Sequence, residues 1–297
     1  MRSIAPPAQL SPAAPRDPDE AVEEMRAGWS MYKRLRRRLA STLSQVPDTG
    51  IFGFRPLRQH IVICGFPASG TTLLQLMLEN GLPQAKRFGR EFGGFRAATY
   101  CWRNHPVMIS KVPHDLFRLG PLRALYATRL AALRILLTVR DPRDLLTARR
   151  PRTGRGRNGC GRYADDRESP DDVYCLTPQE WGLYWTAFRE NCRSPDALLV
   201  RYEDLVRDTA GVQRAVEEFV GWRMRVPFAD AHTVDRSDFR GVTLRGLRPV
   251  ESTRVARWRD PAHAAQLRHA LAVLPELPEA VAELGYADDA GWASALR

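Results

Sequence analysis

Residues 60–79 read HIVICGFPASGTTLLQLMLE, and the succession of residue types in this stretch decides the fold class. Ile61, Val62, Ile63 and Cys64 make an apolar, β-branched run of the length of a buried strand. Gly65, Pro67, Ser69 and Gly70 supply a turn, and Leu73, Leu74, Leu76 and Met77 then recur at helical spacing between Thr71 and Glu79. Strand, glycine turn and helix in that order make an anion cradle. Backbone N–H groups of the turn and the positive end of the helix dipole converge on one point. The bland alternative is a tight turn with no ligand, but two glycines, a proline and three hydroxyls are hard to account for by packing alone.

The spacing narrows the ligand. Gly65 and Gly70 stand as in the G-x-x-x-x-G of a nucleoside triphosphate loop, yet Thr71 occupies the place of that loop's lysine. Without this charge a triphosphate with Mg²⁺ is a poor match. A smaller phosphate group, held by N–H donors and the hydroxyls of Ser69, Thr71 and Thr72, suits the loop better.

Working outward, the chain of 297 residues is long enough for one large α/β domain or two small ones. Two parts are expected: a disordered arm with a helix over 1–45, and a main domain over 46–297 with an insertion or lid at about 150–178. Hydrophobic content of 44% and charged content of 27% are those of a soluble globular protein. No apolar run approaches the ~20 residues of a membrane span, and the N-terminus lacks an apolar signal core, so a cytoplasmic setting is expected. The net charge of +11 is compatible with nucleic acid, a membrane surface or small anions. Arginine accounts for nearly all of it, which together with abundant alanine points to a GC-rich genome. The three lysines, Lys33, Lys86 and Lys111, are the more informative for being rare. Five cysteines without a C-x-x-C pair argue against a disulfide framework or a zinc site, although Cys160 and Cys175 can pair.

Along the chain, strands and helices alternate, which implies a three-layer α/β/α arrangement around a central parallel sheet, like that of P-loop NTPases. Residues 107–112 form a short strand that ends in Lys111. Residues 133–139, LRILLTV, are apolar on both faces, as in a central parallel strand, and lead into Arg140. A strand over 197–202 leads into Glu203. Since ligands of open α/β sheets lie beyond the carboxyl ends of strands, the cradle, Lys111 and Arg140 are expected around one crevice. The aromatic helix containing Trp181, Tyr184, Trp185 and Phe188, with the lid, is a candidate wall for an acceptor. The basic run 33–38 reads as a solvated helix face, with contact to an anionic membrane surface or a nucleic acid as the alternative.

The loop G-F-P-A-S-G-T-T-L-L resembles the phosphosulfate-binding loop, P-[KR]-S-G-T-T, of sulfotransferases that use 3′-phosphoadenosine-5′-phosphosulfate (PAPS). The resemblance implies donor binding by Pro67, Ala68, Ser69, Gly70, Thr71 and Thr72. T-V-R-D-P-R-D-L-L-T-A resembles the family's second signature and implies that Arg140 binds the 3′-phosphate, with Thr147 offering a hydroxyl because Ala148 replaces the usual serine. R-Y-E-D-L at 201–205 is similar to a third segment, placing Tyr202 near the adenine, and the region of Arg245 and Gly246 looks like the loop that closes over the nucleotide. The resemblance runs from about residue 58 to 286.

One departure stands out: Ala68 sits where the family carries a lysine or arginine, so either Lys111 or a nearby arginine supplies that charge or activity is low or absent. Sulfuryl transfer asks for an in-line acceptor, neutralised oxygens and a base. The implied roles fall to Lys111 as the charged group, with His114 as the first candidate base and Glu91 as the second. PAPS is the only cofactor implied, with no metal, and the acceptor is a hydroxyl or amine of a small molecule, glycan or natural product. A P-loop small-molecule kinase and a non-enzymatic nucleotide- or nucleic-acid-binding module are the competing readings; no nucleic-acid recognition motif is present. Oligomeric state is not legible.

Overall fold

The computed structural model describes residues 55–89, 91–99, 104–151, 172–234, 252–286 and 291–296. The expected arm and helix over 1–45, most of the 150–178 insertion, Arg245 and Gly246 lie outside the described residues.

The opening stretch folds as its pattern dictates. β1 (Gln59–Gly65) is buried along its whole length, and α1 (Thr71–Gly81) follows the turn. The strands β2 (Ala85–Lys86), β3 (Val107–Lys111), β4 (Ala132–Val139) and β7 (Ala197–Arg201) join β1 in one sheet, ordered β2-β3-β1-β4-β7. Every neighbouring pair in it is parallel. Ile63 is level with Lys111 on one side and Leu136 on the other, and Gly65 is level with Thr138.

Strand periodicity sorts the side chains onto two faces. Ile61, Ile63, Ile109 and Leu136 pack with Leu74, Met77 and Leu78 of α1 and with Val216 and Val220 of α7 (Thr209–Val220). Val62, Cys64, Met108, Ile135 and Leu137 form the opposite face with Leu119 and Leu122 of α3 (Leu119–Tyr126) and the aromatic side chains of α5 (Pro178–Asn191). Helices therefore cover both faces, and the expected three-layer α/β/α arrangement with a central parallel sheet is present.

α5 departs from expectation. Trp181 is fully buried and Phe188 nearly so, and both pack on Phe66, at ring separations of 6.0 and 5.6 Å. Trp185 stacks on Trp181. Their burial, worth about 1.5–3 kcal/mol per large apolar side chain, builds the core. These rings are not an acceptor wall. A capping box between Thr177 and Glu180, with Pro178 in the first turn, fixes where α5 begins.

The chain leaves β1, returns on the side of β3, then crosses to β4 on the other side, so the strand order reverses at β1. The crevice of an open sheet forms at such a switch point, beyond the carboxyl ends. Four groups are delivered there: the 65–72 turn after β1, Lys111 at the end of β3, Arg140 after β4, and Tyr202 after β7. Gly65 makes the turn possible. Its φ of 135° is open to glycine, and a Cβ there would sit 2.1 Å from the Thr138 carbonyl oxygen of β4.

The insertion has a defined root. β5 (Arg149–Pro151) pairs antiparallel with β6 (Asp172–Tyr174), bringing Pro151 opposite Asp172. Cys64 is a buried free thiol and Cys192 a half-buried one; Cys160, the other half of the pairing considered for Cys175, lies outside the described residues.

Candidate active site

The cradle is built from backbone. Gly70 caps α1 in the left-handed region with φ of 88°, and no side chain caps the helix. The first-turn N–H groups of α1 thus face the crevice end without a side-chain acceptor, as an anion site requires. Ala68 also has positive φ, 64°, an uncommon conformation for a residue with a Cβ. Ser69 is buried, and its hydroxyl points inward. It donates to Phe66 O at 2.5 Å and shares a 2.6 Å hydrogen bond with Thr138 Oγ1, tying the turn to β4. Pro67 and Thr71 are buried, whereas Ala68, Gly70 and Thr72 are half-buried.

Arg140 and Tyr202 close on this turn. A Cβ on Gly70 would lie 2.7 Å from Tyr202 Cδ2, so the tyrosine ring rests on the glycine face. The Arg140 guanidinium lies 4.7 Å from the centre of that ring, and its Nη1 donates to Ala68 O at 3.5 Å. Nη2 donates to Asp144 Oδ2 at 3.2 Å and to the carbonyl of Arg254. Nε is buried and has no hydrogen-bond partner among the described residues. Burial pushes the Tyr202 phenol above its ordinary pKa, against the pull of the nearby Arg140 and Arg254.

Lys111 and Glu91 meet at the β3 end. Lys111 is 2% exposed and its Nζ donates to Glu91 Oε1, while the Glu91 side chain is 61% exposed. The backbone joins in: Lys111 N–H donates to Phe92 O at 3.0 Å and Phe92 N–H to Lys111 O at 3.2 Å. His114 is half-buried in the 3-10 helix Pro113–Arg118 that follows. Thr147 is buried in α4 (Pro142–Thr147), and its hydroxyl donates back to Arg143 O at 2.8 Å. Among the described residues no group of three or more His, Cys, Asp or Glu is placed to hold a metal, and no helix is long and apolar enough to cross a membrane.

Several residues at this end of the sheet were not foreseen from the sequence. Asp144 is fully buried beneath Arg140; an opposite charge four residues on was its signal. Glu203 accepts from Asp141 N–H at 3.1 Å and from the Tyr286 hydroxyl at 2.7 Å, so the R-D-P-R-D and R-Y-E-D-L segments are fastened together through one carboxylate. Burial raises the Glu203 pKa, and the Tyr286 hydroxyl opposes that rise.

Asp115 is the third. It is buried and accepts from Gly94 N–H at 2.7 Å, at the start of the short helix α2 (Gly94–Ala98). It thereby holds the segment that carries Glu91. Burial raises its pKa from 3.8 to about 6, against the Gly94 bond and the charge of Arg118. A carboxyl raised on folding contributes stability that is complete below 3.8 and lost as pH rises through about 6. Asp115→Asn keeps an oxygen for Gly94 but cannot ionise. Urea melts from pH 4 to 8 should show wild-type stability falling with pH by roughly 1–3 kcal/mol through this group, and the variant should lack that fall. An identical slope in both would remove Asp115 as its source.

The model of the sulfotransferase family matches residues 84–226, just under half of the chain. The match covers Glu91, Lys111, His114, Arg140, Thr147 and Tyr202, and the cradle lies outside it. No curated protein matches the sequence. Two solved structures are similar: the sulfotransferase domain from the Synechococcus PCC 7002 olefin synthase, at 16% identity and TM-score 0.43 over 70% of this chain and 89% of that domain; and the sulfotransferase domain from the curacin biosynthetic pathway, at 14% identity and TM-score 0.44 over 74% of this chain and 98% of that domain. Both scores are too low to carry weight beyond the likeness itself.

Proposed function

We propose that this chain is a sulfotransferase that transfers a sulfuryl group from PAPS to a hydroxyl or amine of a small-molecule, carbohydrate or natural-product acceptor. The observation that carries the reading is Arg140. Its guanidinium lies against the cradle, and its buried Nε is left without a partner among the described residues. An adenine nucleotide with phosphate groups at both ends matches this donor set: the α1 N-terminus takes one anionic end, Arg140 the other, and Tyr202 offers a ring face to the base.

The donor supplies an activated sulfuryl group; the chain's own residues orient and neutralise. Lys111 brings a buried ammonium to the β3 side of the crevice, where it can balance charge on sulfuryl oxygens, as Ala68 cannot. Glu91 commits its carboxylate to Lys111 in this structure, which leaves His114 as the first candidate to take the acceptor's proton. We read the setting as cytoplasmic, with no metal and no nucleic acid required.

A thermal shift separates this from the competing readings. Adenosine 3′,5′-bisphosphate should raise the melting temperature where ATP with Mg²⁺ does not. Labelled PAPS should then pass sulfur to members of an acceptor panel. Stabilisation by ATP with Mg²⁺ alone would favour a kinase, and no response to either nucleotide would end the reading.

A further inference from the structure

Arg140 is fixed from below by a carboxylate that also reaches a distant part of the chain. Asp144 is fully buried. Its Oδ2 accepts from Arg140 Nη2 at 3.2 Å and from Ala256 N–H at 2.9 Å, and its Oδ1 accepts from Trp258 N–H at 2.9 Å. Arg140 in turn donates to Arg254 O. Residues 254–258 are thus strapped to α4 by charge-assisted bonds from both members of one ion pair. Ala256 is held at a φ of 59°, a strained value that persists only where its surroundings enforce it. Trp258 is buried, with the Arg143 guanidinium 3.9 Å from its ring centre.

The division of the guanidinium is what matters. Among the described residues, Nη2 is spent on Asp144 and on the strap, while Nη1 makes only a 3.5 Å contact with Ala68 O and Nε makes none. The donors left for a phosphate are therefore Nε–H and Nη1, which lie on different edges of the guanidinium. We propose that Asp144 is a positioning residue: by holding Nη2 it fixes the Arg140 guanidinium with Nε–H and Nη1 left for the donor's 3′-phosphate, and it fastens the 254–258 strap, so that phosphate binding and strap closure support one another. The phosphate half of this rests on the PAPS reading above; the fastening half stands on the ligand-free structure.

The test uses the full chain and its exposed arginines, Arg254, Arg257 and Arg259, as trypsin sites on the strap. Without nucleotide, Asp144→Asn should be cut at these sites at least ~10-fold faster than wild type, with cleavage elsewhere unchanged. By calorimetry it should lose about 10-fold or more in affinity for adenosine 3′,5′-bisphosphate and under about 3-fold for adenosine 5′-phosphate. Adding Arg140→Lys to it should cost no more than Arg140→Lys alone, since both act through one contact. Should Asp144→Asn fail to fold, amide exchange on wild type decides. The Ala256 and Trp258 amides should exchange slowly, and slow further with the bisphosphate but not with the monophosphate. Unchanged strap cleavage, rapid exchange at both amides, or fully additive affinity losses would overturn the proposal. If wild type binds neither nucleotide, the PAPS reading fails and the phosphate half with it; the ligand-free cleavage and exchange results then judge the fastening half alone.

Discussion

Lys111→Met is expected to lower turnover by about 10²–10⁴-fold while leaving the fold intact, the range set by loss of one charge aimed at a transition state. Methionine retains most of the buried stem, so no large cavity opens. The partner left behind, Glu91, has a side chain 61% exposed and is rehydrated by solvent rather than stranded. For these reasons the melting temperature should move by only a few degrees. Affinity for adenosine 3′,5′-bisphosphate should change by only a few-fold, because that nucleotide lacks the sulfuryl group. Single-turnover transfer from PAPS, measured beside circular dichroism and calorimetry, separates these quantities. Unchanged turnover would remove Lys111 from the chemistry and leave the charge missing at Ala68 unexplained.

Arg140→Ala acts on the donor's other end. Binding of adenosine 3′,5′-bisphosphate should weaken by roughly 100-fold or more, since charge-assisted hydrogen bonds contribute about 1.5–3 kcal/mol each. Adenosine 5′-phosphate should lose only a few-fold. Asp144 keeps its two N–H donors from Ala256 and Trp258 when the arginine is gone, which limits the damage to the fold. Arg140→Lys is the sharper control. It retains a charge but loses the planar guanidinium with its several fixed donors, so the preference for the bisphosphate should shrink even if the chain melts like wild type. Equal losses for both nucleotides would contradict the assignment of Arg140 to the 3′-phosphate.

What the sequence made legible follows from what backbone geometry demands of residue types. The 65–72 turn was readable because glycine spacing reflects φ values, and those do not depend on distant partners. Lys111 was readable from its place at a strand end in a chain that otherwise uses arginine. The shared neighbourhood of Arg140, Tyr202 and Gly70 followed from a parallel sheet, in which every carboxyl end points the same way. The direction of the Ser69 hydroxyl was not readable, because its partner is Thr138, on a strand far along the chain. The aromatic helix was misjudged for a different reason. Trp181, Tyr184, Trp185 and Phe188 recur at the i, i+3, i+4, i+7 spacing of a core stripe, and that periodicity should have outweighed the appeal of aromatic side chains as ligand contacts. Asp115 and Asp144 escaped notice because most aspartates are exposed, and only a folded chain reveals which are enclosed; among the described residues these two are joined by Asp141.

The ribbon that pins Arg149–Pro151 to Asp172–Tyr174 separates inheritance from invention. Because both ends of the excursion leave the fold side by side, whatever lies between them is a cassette with a fixed socket. Length and composition there are free to drift without moving α4 or α5. A change confined to the residues between these two strands should leave the crevice as it is, which makes the socket a natural boundary for grafting another excursion.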